Sequence, residues 1–82
     1  MEDPAANPLL DRIRVDADFL GGKPRVRGTR LGVQFLLGLM AGGWTDAVLL
    51  EEYPGLEEED LRACIAYAAV AVEHFRMVPT TA

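Results

Sequence analysis

The chain has 82 residues, half of them hydrophobic, and a net charge of −5, enough for one small domain and no more. Its longest uninterrupted apolar run, Ala63 to Val72, is far short of the roughly 20 residues that span a bilayer, so no membrane segment is expected. The acidic start Met1-Glu2-Asp3-Pro4 lacks the apolar stretch of a secretory leader, and a single cysteine, Cys64, excludes an intrachain disulfide; a cytoplasmic protein is expected.

Residues Met1 to Leu10 mix Pro, Ala, Asn and acids without periodicity and read as a flexible N-terminal tail. Two short stretches then alternate with period two: Arg12-Ile13-Arg14-Val15, and Pro24-Arg25-Val26-Arg27-Gly28. Each puts arginines on one face and apolar residues on the other. With the turn-rich Asp16 to Lys23 between them they predict a two-stranded antiparallel arm, Pro24 confining the second strand to an edge or its own first position.

From Val33 the period changes. Val33, Leu36, Leu37 and Met40 fall on one face of a helix that stops at Gly42-Gly43. Thr45 is an N-cap for a short second helix over about Asp46 to Glu52, ended by Tyr53-Pro54-Gly55. A third helix is predicted from Glu58 to Arg76, with Leu61, Cys64, Ile65, Ala68, Val72 and Phe75 as its core stripe. Its first turn holds Glu58, Glu59 and Asp60, where the helix dipole favours negative charge. The whole predicts a mainly α fold: three helices of helix-turn-helix or winged-helix-like outline, with a short two-stranded β arm before them. One domain is expected over 11–78, with a C-terminal tail at 79–82.

Catalytic chemistry has no constellation to work with, and no enzyme activity is expected. His74 and Cys64 lie ten residues apart on one helix and cannot form a nucleophile–base pair. They are also too few for a zinc site. The carboxylates Glu57 to Asp60 diverge around a helix start, so no metal or cofactor is expected.

Charge is divided unevenly along the chain. Asp11 to Arg30 holds six basic residues (Arg12, Arg14, Lys23, Arg25, Arg27, Arg30) against three acids, whereas the rest holds two arginines against ten. The acidic total argues against non-specific nucleic-acid binding, while the basic segment suits a localised anionic partner.

The stretch Gly21-Gly22-Lys23-Pro24-Arg25-Val26-Arg27-Gly28-Thr29-Arg30-Leu31-Gly32-Val33 is distinctive. With Tyr53-Pro54-Gly55-Leu56 and the alanine-rich Ala63 to Ala68, it resembles the bacterial domain-of-unknown-function family numbered four-three-three, over about Ile13 to Ala69. The resemblance implies an antitoxin of the VapB type, paired with a PIN-like ribonuclease toxin, on a helix-turn-helix-like fold. Three departures stand out. Val26 and Leu31 replace isoleucines, a small trade of apolar volume. Gly32 stands where proline is usual, so a looser approach to the first helix is expected. Glu57 replaces a capping threonine, at a cost of about 1 kcal/mol to the third helix. Gly28 is expected to supply a backbone shape that a β-carbon forbids, and Thr29 to hydrogen-bond the backbone at the strand-to-helix corner.

The leading functional expectation is an antitoxin-like protein that binds a toxin and its own operator DNA. A stand-alone DNA-binding regulator and a structural dimerisation or adaptor domain are the alternatives. Arg12, Arg14, Lys23, Arg25, Arg27 and Arg30 are the expected partner-binding residues, whether toxin or DNA is bound. For the arginines, ion pairing with Glu57 to Asp60 inside the fold is the structural alternative. DNA reading by the start of the third helix is not expected, because Glu57 to Asp60 repel phosphates. A homodimer is expected through Phe35 and Leu39 on the first helix and Ala66, Tyr67 and Val70 on the third, since that helix is apolar all round in its middle; the N-terminal arm folding back over that face is the alternative.

Overall fold

The computed structural model describes residues 3–75; the expected tail at 79–82 and the last expected helical residue, Arg76, lie outside the described residues. The elements are two 3-10 turns (Pro4–Ala6 and Pro8–Arg12), β1 (Ile13–Arg14), a 3-10 turn (Leu20–Gly22), β2 (Arg25–Val26), α1 (Val33–Ala41), α2 (Asp46–Glu52) and α3 (Glu58–His74). The mainly helical architecture with a two-stranded arm is the expected one.

Residues 3–10 differ from the expected tail. Asp3 and Asn7 each precede a proline, and each side chain accepts a hydrogen bond from the backbone N–H two residues on, at 3.0 Å for Ala5 and 2.9 Å for Leu9. Proline at the first helical position then starts a short turn, as its fixed φ and missing N–H suit it to do. Both turns pack against α3, and Leu9 lies against the core. The segment thus covers part of the apolar helix that was expected to need a second chain.

β1 and β2 pair antiparallel, with Ile13 opposite Val26 and Arg14 opposite Arg25. Ile13 and Val26 are buried, as the alternation requires. The chain turns back at Val26–Thr29, where Thr29 N–H donates to Val26 O at 3.1 Å and Gly28 adopts φ 75°, a left-handed backbone suited to glycine. The Thr29 hydroxyl donates to Val26 O at 2.8 Å and accepts from Leu31 N–H at 3.0 Å, the corner role expected of it. A further antiparallel bridge joins Arg25 to Gly32, so β2 anchors the start of α1 directly.

α1 ends in a Schellman cap. Gly43 N–H donates to Met40 O and Trp44 N–H to Leu39 O, both at 3.0 Å, with Gly43 at φ 99°. Thr45 Oγ1 accepts from Val48 N–H at 3.2 Å and caps α2. The core joins Ile13 and Val26 of the arm to Val33 and Leu36 of α1, Leu49 of α2, Leu56 of the connecting turn, and Leu61, Ala63 and Cys64 of α3.

α3 is turned relative to the expected stripe. Leu61 and Cys64 are buried as predicted, but Ile65, Val72 and Phe75 are 55%, 73% and 69% exposed. The buried positions are instead Asp60, Leu61, Ala63, Cys64 and Ala66, with Tyr67 packed against the core. That face is centred roughly a quarter-turn from the predicted one. Two causes combine: alanines let neighbouring segments approach closely, and the N-terminal turns dock on the same side.

Two stability predictions follow from this packing. Gly32 sits at φ −73°, within proline's range. The bonds flanking its bridge run from Val26 N–H to Leu31 O and from Val33 N–H to Pro24 O, so its own N–H carries none of them. Gly32→Pro is expected to stabilise the fold by about 0.4–1 kcal/mol, read as a rise in the midpoint of urea unfolding. Burial first, and the charge of Asp60 second, push the Cys64 thiol from 9.0 up to about 11. The folded state therefore keeps a proton that the unfolded state releases above pH 9. Stability from this residue is full below pH 9 and is lost as the pH rises from 9 to 11, a decline that Cys64→Ala is expected to reduce in urea titrations at stepped pH.

Candidate partner-binding site

Arg12 lies where the arm meets the N-terminus of α3. Its Nη1 donates to Asp60 Oδ1 at 3.0 Å and Glu57 Oε1 at 3.1 Å, and its Nη2 is 3.9 Å from Glu59 Oε2. Its hydrogen bonds to Asp60 and then to Glu57 raise its pKa above the ordinary arginine value. Asp60 is 5% exposed, and its second oxygen, Oδ2, accepts from Glu57 N–H at 2.8 Å. One buried carboxylate therefore caps the helix and holds the arm. This offsets the loss expected from Glu57 in the threonine position. Arg12 thus takes the structural alternative expected for the arginines, ion pairing with Glu57 to Asp60 inside the fold.

Arg25 is also committed to the fold. Its Nη2 pairs with Asp16 Oδ2 at 2.9 Å, its Nη1 donates to Thr29 O at 3.2 Å, and its guanidinium lies 4.2 Å from the centroid of the Phe19 ring. Arg30 lies 5.1 Å from the same centroid. The arginines opposed across the arm do not crowd one another, because Arg14 turns away to donate to Asp11 O at 2.8 Å. Arg27 reaches the same carbonyl only at 3.4 Å. Arg14, Lys23, Arg27 and Arg30 are exposed and, among the described residues, form no ion pair with a carboxylate.

The four exposed cations do not all serve one surface. Lys23 and Arg30 stand over an open groove of about 770 Å³ between the Leu20–Pro24 loop, the Arg30–Gly32 segment and α1. Its apolar wall includes Leu20, Leu31, Phe35 and Leu39. Leu20 is 41% and Phe35 49% exposed, and Tyr53 braces Phe35 edge-on with ring centroids 6.1 Å apart. Most of the distinctive Gly-Lys-Pro to Leu-Gly stretch thus either shapes the arm or faces this groove.

A family model described as a protein of unknown function, DUF433, matches residues 13–68, from the first residue of β1 to the buried half of α3. The chain belongs to the DUF433 family. The crystal structure of a DUF433 member from Anabaena variabilis ATCC 29413 is similar to this DUF433 chain with a TM-score of 0.72 and 34% identity, covering 84% of this chain and 81% of that one. An uncharacterized protein, y4eO, of Sinorhizobium fredii (strain NBRC 101917 / NGR234) is 41% identical over 51 residues, which is 62% of this chain and 23% of that protein. The match therefore spans under a quarter of that relative's length.

The expected dimer residues differ in how far the DUF433 fold exposes them. Ala66 is buried and Tyr67 is partly buried against the core of its own chain. Val70 is half-buried. Phe35 and Leu39 belong to the groove wall instead. Sequence reasoning missed the groove because three separate segments build it. Among the described residues, no group of three or more His, Cys, Asp or Glu side chains is placed to hold a metal ion, and no helix is long and apolar enough to cross a membrane.

The two classes of arginine separate in a stability measurement. Arg12→Ala strips the ion pair from a buried carboxylate and is expected to lower the melting temperature, followed by circular dichroism, by more than Arg14→Ala and Arg27→Ala combined.

Proposed function

We propose that this DUF433 chain is the antitoxin-like component of a toxin–antitoxin pair, a cytoplasmic binding protein rather than an enzyme. Its groove would engage a PIN-like ribonuclease toxin. The observation that carries this reading is the groove itself: an open apolar surface with two cations that have no carboxylate partner among the described residues. The core has already claimed Ile13, Val26 and Val33. What the motif leaves outward is Lys23, Arg30 and the apolar wall, a mixture suited to a protein surface with an apolar centre and a charged rim.

Operator contact, the second part of this reading, falls to Arg14 and Arg27. Their side chains donate only to backbone carbonyls, which leaves their charge available to phosphates. The start of α3 is unsuited to that task, since Arg12 is already drawn to its carboxylates.

The test co-expresses the chain with each PIN-like nuclease of its native cell, following growth, and measures complex formation by calorimetry. Lys23→Glu with Arg30→Glu is expected to weaken binding at least about tenfold, equal to about 1.4 kcal/mol, and to abolish growth rescue while the melting temperature holds. A wild-type chain that neither binds nor rescues would sink the proposal.

A further inference from the structure

α1 carries a glycine for which the fold of this chain has no use. Gly38 lies mid-helix and is not among the glycines with positive φ. A β-carbon there would meet nothing within 4 Å. Alanine would fit and hold the helix better, because interior glycine disfavours it. Glycine has an advantage only where another backbone approaches closely. Gly38 is exposed and lines the groove.

Two further observations bear on the same place. Leu20, on the opposite side of the groove, is held at φ 53°, a left-handed backbone that is strained for leucine, and remains 41% exposed. Among the described residues the groove lining contains Lys23 and Arg30 but no acid, in a chain with 13 acids and 8 lysines and arginines. The groove therefore combines a glycine, apolar walls and a purely cationic rim.

We infer that this groove seats an acidic amphipathic helix of a partner protein, crossing α1 at Gly38. Apolar side chains of that helix lie among Leu20, Phe35 and Leu39, and its flanking carboxylates meet Lys23 and Arg30. The inference rests on the proposed function only in taking the groove as the partner surface. A glycine at the crossing point lets two helices approach closely, and helices laid in grooves are anchored by apolar residues at i, i+3 or i+4, and i+7. A second copy related by a two-fold axis would present the same cationic rim to itself. Nucleic acid would use the cations and gain little from the leucine and phenylalanine walls.

The experiment places the photo-cross-linker p-benzoylphenylalanine at Gln34, an exposed groove residue, and at exposed Ala47 on α2 as a control, in the full chain in its native cell. The captured peptide is sequenced, synthesised and titrated against purified variants. The expected segment belongs to a different protein, has apolar residues at helical spacing and carries at least two flanking carboxylates. Gly38→Leu weakens its binding at least about tenfold. Gly38→Ala, which tests folding separately, raises the melting temperature by roughly a few degrees and still weakens binding. Lys23→Glu with Arg30→Glu abolishes binding, and lysines in place of the peptide's carboxylates restore it. Capture of a second copy, of nucleic acid or of a segment without carboxylates overturns the inference, as does no adduct above the Ala47 control or unchanged binding by Gly38→Leu. An acidic helix from a protein that is no nuclease would remove the antitoxin reading and leave this inference standing. A nuclease segment without carboxylates would do the reverse.

Discussion

The contact on which the rest of the molecule depends is the one between Arg12 and Asp60. A carboxylate as buried as Asp60 is tolerated only when its lone pairs are filled. Here one oxygen takes the guanidinium of Arg12 and the other takes the N–H of Glu57. The first contact fixes the arm against the bundle, and the second closes the exposed start of α3. Ile13 follows Arg12 directly, so fixing the guanidinium also sets how Ile13 and Val26 enter the core. The position of α1 then follows through the bridge from Arg25 to Gly32.

Seen from this anchor, the basic third of the chain has two tasks. Arg12 and Arg25 assemble the arm. Arg25 does so by joining Asp16, the carbonyl of Thr29 and the face of Phe19. Lys23 and Arg30 pair with no carboxylate among the described residues and line apolar surface instead. An apolar wall beneath unpaired cations discriminates between partners: it disfavours basic surfaces by charge and highly polar ones by desolvation.

Much of this was legible in the sequence. The glycine pair after Met40, the threonine before α2 and the period-two arginines each name a local structure through short-range chemistry, and each is present. The orientation of α3 was not legible. Ala63 to Val72 is apolar at every position, so the run carries no angular preference, and the buried side is chosen by the segments that pack on it. The N-terminal turns did have a signal, Asp3-Pro4 and Asn7-Pro8, in which an accepting side chain stands before a proline. Composition alone concealed it. The pairing of Arg12 with Asp60 could be framed only as an alternative, since it links residues 48 positions apart. The groove left no continuous trace for the same reason.

That separation also governs when the protein can exist during its synthesis. Closing a loop of 48 residues costs roughly 3 kcal/mol in chain entropy before any contact repays it. The arm, which emerges first, lacks its anchor to Asp60 until α3 has followed. A nascent chain ending at Gly55 exposes Ile13, Val26 and Val33 with no opposing layer. Folding is therefore deferred until the first turns of α3 leave the ribosome, and any partner that recognises the finished groove meets a chain in which arm, helices and anchor have already come together.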